Sequence, residues 1–515
     1  MPGAVEMLER GLACHQAGRL EEAEAIYQSV LKEEPANADA HHLLGLVASH
    51  QGRYQLAEER IREAIALNPL APFYHNNLGN VLQALGRFQE AVVSYRDALR
   101  LDPAYVEPHS NLGPALDALG RHAEAVAAGL EAVRRRPGWA EAYMNLGNSL
   151  AKLNRYEEAE AAYREAARLR PGYAEAYSNL GNAVLEQGRV EEAAGCFEEA
   201  LQLDPANGVA HWNRGWLRLL QGDYERGWQE YEWRWVTGNA APRSFRQPVW
   251  DGSCLWGATI LLHAEQGLGD TVQFIRYAPW VKQAAGRVVV ECQARLAPLV
   301  ATVSGVDEVV PAGAELPPFD THAGLLSLPR IFGTRVETVP AAVPYFTVAP
   351  ERLERWRARL AGVRGFKVGL VWAGSPTHKN DRSRSLPLSA LAPLAEAPGV
   401  AWFSLQRGPQ AAELRAARLP ITNLEEDDND AMDTAAIIMN LDLVIAADTM
   451  VAHLAGALAR PVWTLLAYMP DFRWMLGRED TPWYPTMRLF RQPRPGDWAA
   501  VIERVREELG HAASG

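Results

Sequence analysis

The chain has 515 residues, enough for two to four domains, and its 48% hydrophobic and 9% aromatic content is sufficient for packed cores. Its formal net charge of -12 argues against a general nucleic-acid binder, because phosphate backbones are bound by clustered Lys and Arg. An amphipathic start, no apolar run near the roughly 18 residues of a membrane span, and scattered cysteines without C-x-x-C predict a cytoplasmic protein with no membrane span.

The first half of the chain repeats with a period of 34 residues. Prolines recur at this spacing, at Pro35, Pro69, Pro103, Pro137, Pro171 and Pro205. Small residues recur in the same register, at Gly45, Gly79, Gly113, Gly147, Gly181 and Gly215, and at Ala23, Ala57, Ala91, Ala125, Ala159 and Ala193. The pattern resembles the tetratricopeptide repeat, in which two antiparallel helices approach closely at the small residues. It gives six complete repeats over residues 4–207.

A seventh, altered repeat follows over residues 208–235. Gly227 replaces the usual Ala, and Trp228, Tyr231, Trp233 and Trp235 are added. An atypical terminal repeat caps a solenoid or docks it on a neighbour. Because more than half of the chain follows, we expect docking, with the repeat domain extending over residues 4–236.

One polar position recurs in the first helix of successive repeats, at Asn77, Asn111, Asn145, Asn179 and Asn213. A row of amides can donate to and accept from a peptide backbone, so we expect these residues on a concave face, not between helices, holding a protein or peptide acceptor. The row resembles the asparagine ladder of the eukaryotic O-GlcNAc transferase. Asn is also common here in consensus repeats that have no such role, and His42 and Leu43 interrupt the row.

The second half reads as two α/β lobes. After a linker at 237–257, a strand at 259–265, a Gly-rich turn and an apolar helix open a Rossmann-like lobe over 258–350. A second lobe over 351–495 contains the strand KVGLVWAG and the stretch 441–466, which reads as strand, turn, helix and strand. A terminal helix covers 496–510.

The turn after the strand LDLVIAA has the features of an anion site. Asp448 and Thr449 are good N-cap residues, and the amides of Thr449, Met450 and Val451 are expected to face a phosphate at the carboxyl end of a parallel strand. Asp448 is then placed to bind sugar or ribose hydroxyls. The alternative is an ordinary crossover helix with a capping Asp.

The motifs GLGD, VWAGSP and ADTMVAHLAGAL, each in its expected structural context, are similar to those of the ADP-heptose:lipopolysaccharide heptosyltransferases, family 9 of the glycosyltransferases. With the repeats in front, the whole chain resembles bacterial tetratricopeptide-repeat glycosyltransferases of that type. The resemblance implies an α-solenoid followed by an α/β glycosyltransferase of GT-B type, whose two Rossmann-like lobes face each other across a cleft.

The resemblance also implies catalytic roles. Asp270 ends the Gly-rich turn, where these enzymes place the general base that takes a proton from the acceptor hydroxyl. Capping of the following helix is the alternative role for Asp270, and His263 is the substitute base. Lys379, Arg382 and Arg384, with His378, lie on a basic loop expected to stabilise the departing diphosphate, unless they are only a solvated charge run.

Weaker donor-site candidates are Gln406, His453, and Asp433 with Thr434. His453 is as consistent with a structural role. Asp428 and Asp430 form a D-x-D, which binds metal in other glycosyltransferases, but its position between elements of the second lobe argues against that role. We therefore expect no metal and no cofactor, with a nucleotide sugar as substrate. No nucleotide-binding G-x-x-x-x-G-K-[ST] or hydrolase G-x-S-x-G motif is present.

The leading hypothesis is a metal-independent glycosyltransferase whose repeats present an acceptor, in particular a protein. One alternative is an interaction scaffold whose transferase half is degenerate and only binds. Another keeps the enzyme but makes its acceptor a glycan or a lipid-linked saccharide.

Overall fold

The computed structural model describes residues 3–240, 243–376, 381–417, 419–424 and 430–513. The chain divides into two compact units, one ending at Pro205 and the other beginning at Ala206. Among the described residues, no helix combines the length and the apolar character needed to cross a membrane.

The first unit consists of helices that pack as antiparallel pairs, one pair per repeat, which confirms the predicted helical solenoid. Within its described residues these are α1 Ala4–Gln16, α2 Leu20–Glu33, α3 Ala38–His50, α4 Tyr54–Leu67, α5 Pro72–Ala84, α6 Phe88–Leu101, α7 Glu107–Ala118, α8 His122–Arg135, α9 Ala140–Lys152, α10 Tyr156–Leu169, α11 Ala174–Glu186 and α12 Val190–Leu203.

Close approach within a pair depends on the repeated glycine. A Cβ at Gly147 would lie 2.5 Å from the ring of Tyr163, which is 3% exposed. Gly79 and Tyr95 have the same relationship. Since a Cβ never approaches another atom so closely, the aromatic ring of the second helix packs directly on the glycine of the first.

Adjacent repeats are joined by ion pairs that recur with the sequence period. Arg53 pairs with Glu24 at 2.7 Å, Arg87 with Glu58 at 2.7 Å, and Arg189 with Glu160. In each pair the partners are 29 residues apart, so each joins one repeat to the next. Such half-exposed pairs contribute at most about 1 kcal/mol each.

The second unit begins with the seventh repeat. Helices α13 Gly208–Leu220 and α14 Tyr224–Tyr231 are followed by a 3₁₀ turn, Glu232–Trp235. The sequence pattern grouped this helix pair with the other repeats up to residue 236. The structure instead divides the chain at Pro205, so the pair belongs to the same compact unit as the α/β lobes.

The first lobe is a parallel sheet in the order β3-β2-β1-β4. Its strands are β1 Thr259–His263, β2 Arg287–Cys292, β3 Glu308–Pro311 and β4 Thr321–Gly324. The helices around it are α15 Leu268–Phe274, α16 Ala278–Ala284, α17 Ala297–Val300 and α18 Leu328–Ile331. Strand β1 is central, with Leu261 opposite Val289 of β2, and both side chains are buried.

The second lobe is a parallel sheet in the order β10-β9-β8-β5-β6-β7. Its strands are β5 Phe366–Val371, β6 Val400–Ser404, β7 Ile421–Asn423, β8 Leu443–Ala447, β9 Val462–Leu466 and β10 Met487–Arg491. The helices are α19 Pro350–Leu360, α20 Asp381–Arg384, α21 Ala392–Ala395, α22 Glu413–Ala416, α23 Ala431–Met439, α24 Met450–Ala457 and α25 Trp498–Ala512. The predicted α/β region with two parallel sheets is confirmed.

The strand orders indicate where a ligand is expected to bind. In the first sheet the chain runs outward from β1 through β2 and β3, and β4 lies on the other side of β1. In the second it runs outward from β5 through β6 and β7, and β8 lies on the other side of β5. Ligands of open parallel sheets bind at the carboxyl ends of such strands, where the order reverses. The segments after β1, β5 and β8 are therefore the expected ligand-binding segments.

Candidate functional site

The segments that follow β1 and β8 contact each other. A Cβ placed on Gly269, which belongs to the Gly-rich turn and to the first turn of α15, would lie 3.0 Å from Cδ2 of His453 and 3.8 Å from Cα of Met450. His453 and Met450 both belong to α24. Glycine thus lets a turn of the first lobe lie against the first turn of a helix in the second lobe.

A buried arginine joins the two lobes at this point. Arg473 lies in the turn after β9, pairs with Asp270 of the first lobe and with Asp471 at 2.7 Å, and donates from Nε to Oε1 of Gln273 at 2.7 Å. Burial alone would lower the pKa of Arg473, but the charges of Asp471 and Asp270 raise it instead. The guanidinium therefore stays charged.

Asp270 uses both carboxylate oxygens. Oδ2 accepts a hydrogen bond from the amide of Gly267 at 2.7 Å, and Oδ1 is paired with Arg473. The bond from the Gly267 amide caps the start of α15, which is the alternative role that the sequence predicted for Asp270. The side chain remains 16% exposed.

Asp448, directly after β8, is a carboxylate in an unfavourable environment. Burial, followed by the negative charge of Asp471, raises the pKa of Asp448 to about 6, although Trp474, Arg384 and Arg473 act in the opposite direction. Nε2 of His453 lies 3.9 Å from Oδ1 of Asp448.

His453 is held as a neutral ring. Burial and the charge of Arg473 lower its pKa well below the usual value. Its Nδ1 is 3.1 Å from the hydroxyl of Tyr484, and its ring stacks on Trp474 with centroids 5.1 Å apart. His453 therefore packs beside Asp448 as a neutral side chain and does not compensate the negative charge of the carboxylate.

The first turn of α24 has unused backbone donors. Its first bonds run from Ala452 and His453 to the carbonyl of Thr449. Within the described part of the chain, the amides of Thr449, Met450 and Val451 have no backbone acceptor, and the buried hydroxyl of Thr449 has no hydrogen-bond partner. These groups are available to an anion at the carboxyl end of β8.

One residue of the predicted basic loop can be placed at the site. Arg384 ends α20 and lies so close to Gly374, just after β5, that a Cβ there would be 2.5 Å from Nη2. Its Nε is 3.7 Å from Asp381, and its charge lowers the pKa of Asp448. His378, Lys379 and the side chain of Arg382 lie outside the described residues.

Gln406 is occupied by the backbone around it, which corrects its assignment as a donor-binding residue. Its Oε1 accepts from the amides of Trp372 and Ala373 at 3.0 and 2.9 Å. Its Nε2 donates to the carbonyls of Ala373 and Arg407 at 2.9 and 2.8 Å. The side chain shapes the segment after β5 and keeps no free hydrogen-bonding atom of its own for a nucleoside.

The acidic candidates near α23 also have local partners. Asp433 pairs with Arg352 and Arg355, and despite its burial these contacts keep its pKa below the usual value. Asp430 caps α23 by accepting from the Asp433 amide at 2.9 Å, and Thr434 bonds the Asp430 carbonyl at 3.3 Å. Asp428 is outside the described residues.

His263 lies inside the first sheet, which corrects its assignment as a substitute base. Its Nε2 is 3.2 Å from Nδ1 of His322 on the neighbouring strand β4, and it is 2% exposed. Burial and the nearby His322 lower the pKa of His263 to about 3. It is a neutral core residue.

The asparagine row joins neighbouring repeats, contrary to the expectation that its amides are not between helices. Bonds from Nδ2 connect Asn77 to His42, Asn111 to Asn76 and Asn80, Asn145 to Ser110, and Asn179 to Asn148, at 2.9 to 3.1 Å. These amides are only partly exposed. Asn213 is 5% exposed and belongs to the other unit, so it does not extend an open groove.

Arg473, Asp471 and Trp474 were not predicted from the sequence. The available signal was the segment DFRW, which places an arginine between two aromatic residues shortly after β9. Strand β9 is adjacent to β8, so this segment had to lie beside Asp448. Among the described residues, no group of three or more His, Cys, Asp or Glu side chains is arranged to hold a metal ion.

Comparison with known proteins identifies the repeats. Tetratricopeptide-repeat profiles match residues 15–76, 80–120, 110–174, 144–208 and 178–232. Protein FlbA of Caulobacter vibrioides is 28% identical over 318 residues, which are 56% of this chain and 53% of FlbA. The chain thus spans about half the length of this curated relative.

Similar solved structures overlap about two fifths of the chain. Pseudomonas aeruginosa pilF is 22% identical and matches 40% of this chain and 94% of its own, with a TM-score of 0.37. The tetratricopeptide-repeat protein TTC0263 of Thermus thermophilus is 24% identical over 35% of this chain and 99% of its own, with a TM-score of 0.32. The profile matches show that this chain contains tetratricopeptide repeats.

Proposed function

We propose that the chain is a GT-B glycosyltransferase that transfers a sugar from a nucleotide-sugar donor to an acceptor bound by the repeats, with a protein as acceptor. The observation that carries the proposal is the contact between the Gly-rich turn and the first turn of α24. This contact brings Asp270, Arg473 and Asp448 together at the carboxyl ends of two parallel sheets.

The donor diphosphate is assigned to the free amides of Thr449, Met450 and Val451, with Arg384 and the predicted Lys379 and Arg382 beside them. Backbone donors and cations fixed in place stabilise the negative charge that develops on a departing nucleoside diphosphate. Asp448 is assigned to the donor hydroxyls. A donor hydroxyl that donates a hydrogen bond to this buried carboxylate would stabilise its charged form, which burial disfavours.

Asp270 is assigned as the general base. It removes the proton from the acceptor hydroxyl while that oxygen bonds to the anomeric carbon, and the bond from that carbon to the diphosphate oxygen breaks with its electron pair. The Gly267 amide and Arg473 hold the carboxylate in one orientation.

A binding-only second half is the other candidate function. It is favoured by the same two contacts of Asp270, because an acceptor hydroxyl would have to compete with the Gly267 amide and Arg473 for the carboxylate oxygens. The two candidates differ in turnover, not in nucleotide binding.

A screen of nucleotide sugars tests the proposal, with donor hydrolysis and nucleotide binding as readouts. We expect hydrolysis of one donor, and a rise of about tenfold or more in its dissociation constant in Asp448→Ala and Arg384→Ala. Asp442→Ala is the matched control, because Asp442 bonds the Lys367 amide at 2.7 Å just before β8 begins, at the opposite end of that strand. Binding without any turnover favours the binding-only candidate, and no binding contradicts both.

A further inference from the structure

The seventh repeat packs across both α/β lobes through one aromatic side chain. Trp228 of α14 is 2% exposed. Its ring makes edge contacts with Phe274 of the first lobe at 5.9 Å, and with Phe472 and Trp483 of the second at 5.6 and 6.5 Å. Aromatic edges at these distances are directional contacts, so the position of α14 is linked to both lobes.

Two further residues of α14 reinforce the contact with the second lobe. Tyr231 lies against Phe472, with ring centroids 5.3 Å apart. The hydroxyl of Tyr224 accepts a hydrogen bond from Nε1 of Trp483 at 3.1 Å. Both tyrosines are buried, so these contacts exclude water from the junction.

Phe472 begins the short 3₁₀ turn Phe472–Trp474, which has the candidate site on its other side. Arg473 of this turn pairs with Asp270, and Trp474 stacks on His453. The turn is therefore held between the seventh repeat and the residues that surround Asp448.

The seventh repeat also contacts the segment of the first lobe that precedes the Gly-rich turn. Arg234, fully buried, bonds Oε2 of Glu265 at 2.7 Å and Oγ of Ser327 at 2.7 Å. Glu265 lies between β1 and the Gly-rich turn, and it fills the space where Gly324 would otherwise have a Cβ. Removing one partner of this pair would leave a buried charge unpaired, so the pair holds Glu265 and the segment around it in place.

We propose that the seventh repeat is a positioning element of the candidate site: Trp228 and Tyr231 set the 472–474 turn, and Arg234 sets the Gly-rich turn. In this role the helix pair belongs to the transferase, not to the acceptor-binding surface. The identity of the ligand rests on the proposed function, whereas the positioning itself does not.

Hydrogen exchange of the ligand-free protein tests the positioning. We expect Trp228→Leu to accelerate amide exchange by about tenfold or more in residues 266–274 and 467–477, and Trp228→Phe to restore most of the protection. Tyr163→Leu is the matched control, because it also removes a buried aromatic ring, but one that packs on Gly147 in the first unit. Its effect should stay within the repeats around Tyr163.

A milder variant covers the case in which Trp228→Leu does not fold. Tyr224→Phe removes only the hydrogen bond to Trp483 and should accelerate exchange in 467–477 by a smaller factor, on the order of threefold. Unchanged exchange at both turns in a folded Trp228→Leu, or in Tyr224→Phe if the first variant does not fold, would overturn the proposal.

Binding of ADP and UDP separates this inference from the proposed function. If the site takes a nucleoside diphosphate, Trp228→Leu should raise the dissociation constant of whichever of the two binds by about tenfold, and Tyr163→Leu should not change it. A wild-type protein that binds neither of these, and hydrolyses no donor, contradicts the proposed function, while the exchange experiment still decides whether the seventh repeat positions the two turns.

Discussion

The fold disfavours the charged form of Asp448, because its pKa is raised from the usual 3.8 to about 6. The protonated carboxyl therefore contributes its full stability below pH 3.8, and the folded state loses this stability relative to the unfolded state as the pH rises through 6. This difference in pKa corresponds to about 3 kcal/mol, so the charged carboxylate destabilises the folded protein at neutral pH.

Asp448→Asn should therefore stabilise the ligand-free protein at pH 7.5 by up to about 3 kcal/mol and have little effect near pH 4, as measured by urea unfolding at both values. The same variant should lose donor binding. Asp442→Asn serves as the control and should not stabilise the protein. An Asp448→Asn variant that is less stable than wild type at pH 7.5 would show that the carboxylate has an unrecognised partner.

Asp270 is expected to matter for turnover more than for binding. In Asp270→Asn the side-chain oxygen can still accept from the Gly267 amide, and Arg473 keeps Asp471 and Gln273. We expect transfer or donor hydrolysis to be abolished while the nucleotide dissociation constant changes less than about threefold. Calorimetry and product assay together measure this. Full activity in the variant would remove Asp270 from the role of base.

A further prediction concerns the diphosphate of the donor, whose charge is assigned to side chains and backbone amides. Since the diphosphate is assigned to Arg384 and the start of α24, donor hydrolysis should persist in excess EDTA. The assay compares chelated enzyme with enzyme supplemented with magnesium or manganese. Activity that disappears with EDTA and returns with either ion would contradict the assignment and bring Asp428 and Asp430 back into consideration.

Sequence reasoning at the residue scale placed Asp270, Asp448 and the start of α24 next to strand ends, because a Gly-rich turn or an N-cap residue follows an apolar run, and the structure has them at those positions. Their roles in binding and catalysis stay predictions. Arg473 was missed because its partners Asp270 and Gln273 are 203 and 200 residues away in the chain. No local pattern encodes that contact. Gln406 was misassigned for the opposite reason, since its local backbone partners depend on how β5 and β6 align.

At the scale of elements, the asparagine row has a structural role that the sequence did not reveal. Replacing Asn111, Asn145 and Asn179 by Ala removes several hydrogen bonds between neighbouring repeats, and each contributes about 0.5 to 1.5 kcal/mol. We expect the triple variant to be less stable by about 1.5 to 4.5 kcal/mol in urea unfolding. Transfer to a protein acceptor should fall while donor hydrolysis is spared.

Asn182→Ala is the control for this experiment. Asn182 is three residues after Asn179 on the same helix and, among the described residues, has no hydrogen bond from its side chain. It should leave stability within about 0.5 kcal/mol of wild type. A triple variant that is as stable as wild type yet loses transfer would show that the amides serve the acceptor and not the repeats.

The helices and strands themselves were largely predictable. The 34-residue period predicted the helix pairs, because the recurring Gly and Ala mark where the two helices of each repeat pack together. The apolar runs identified β1, β5 and β8. The short helices α20 and α22 and the 3₁₀ turns were not predicted, because four residues carry too little periodicity and are ordered by their tertiary contacts.

At the scale of the whole molecule, the two possible boundaries predict different fragments. A fragment of residues 206–515 keeps the Asn207 cap of α13 and the aromatic contacts of Trp228, so it should fold and bind nucleotide. A fragment of residues 237–515, cut near the boundary read from the sequence, should expose Phe472 and Trp483 and aggregate. Circular dichroism and size-exclusion chromatography distinguish the two. A well-folded monomer of 237–515 would contradict the structural boundary.

The ion pairs and amide bonds of the first six repeats give the array a way to change length. The inter-repeat bonds described above connect residues 29 to 35 positions apart, so each of them joins one repeat to the next. A gene segment duplicated in whole periods would create a repeat that finds complementary partners on both sides. The seventh repeat has no such freedom, because its side chains match two particular lobes. Gain or loss of whole repeats is thereby confined to the part of the chain before Pro205.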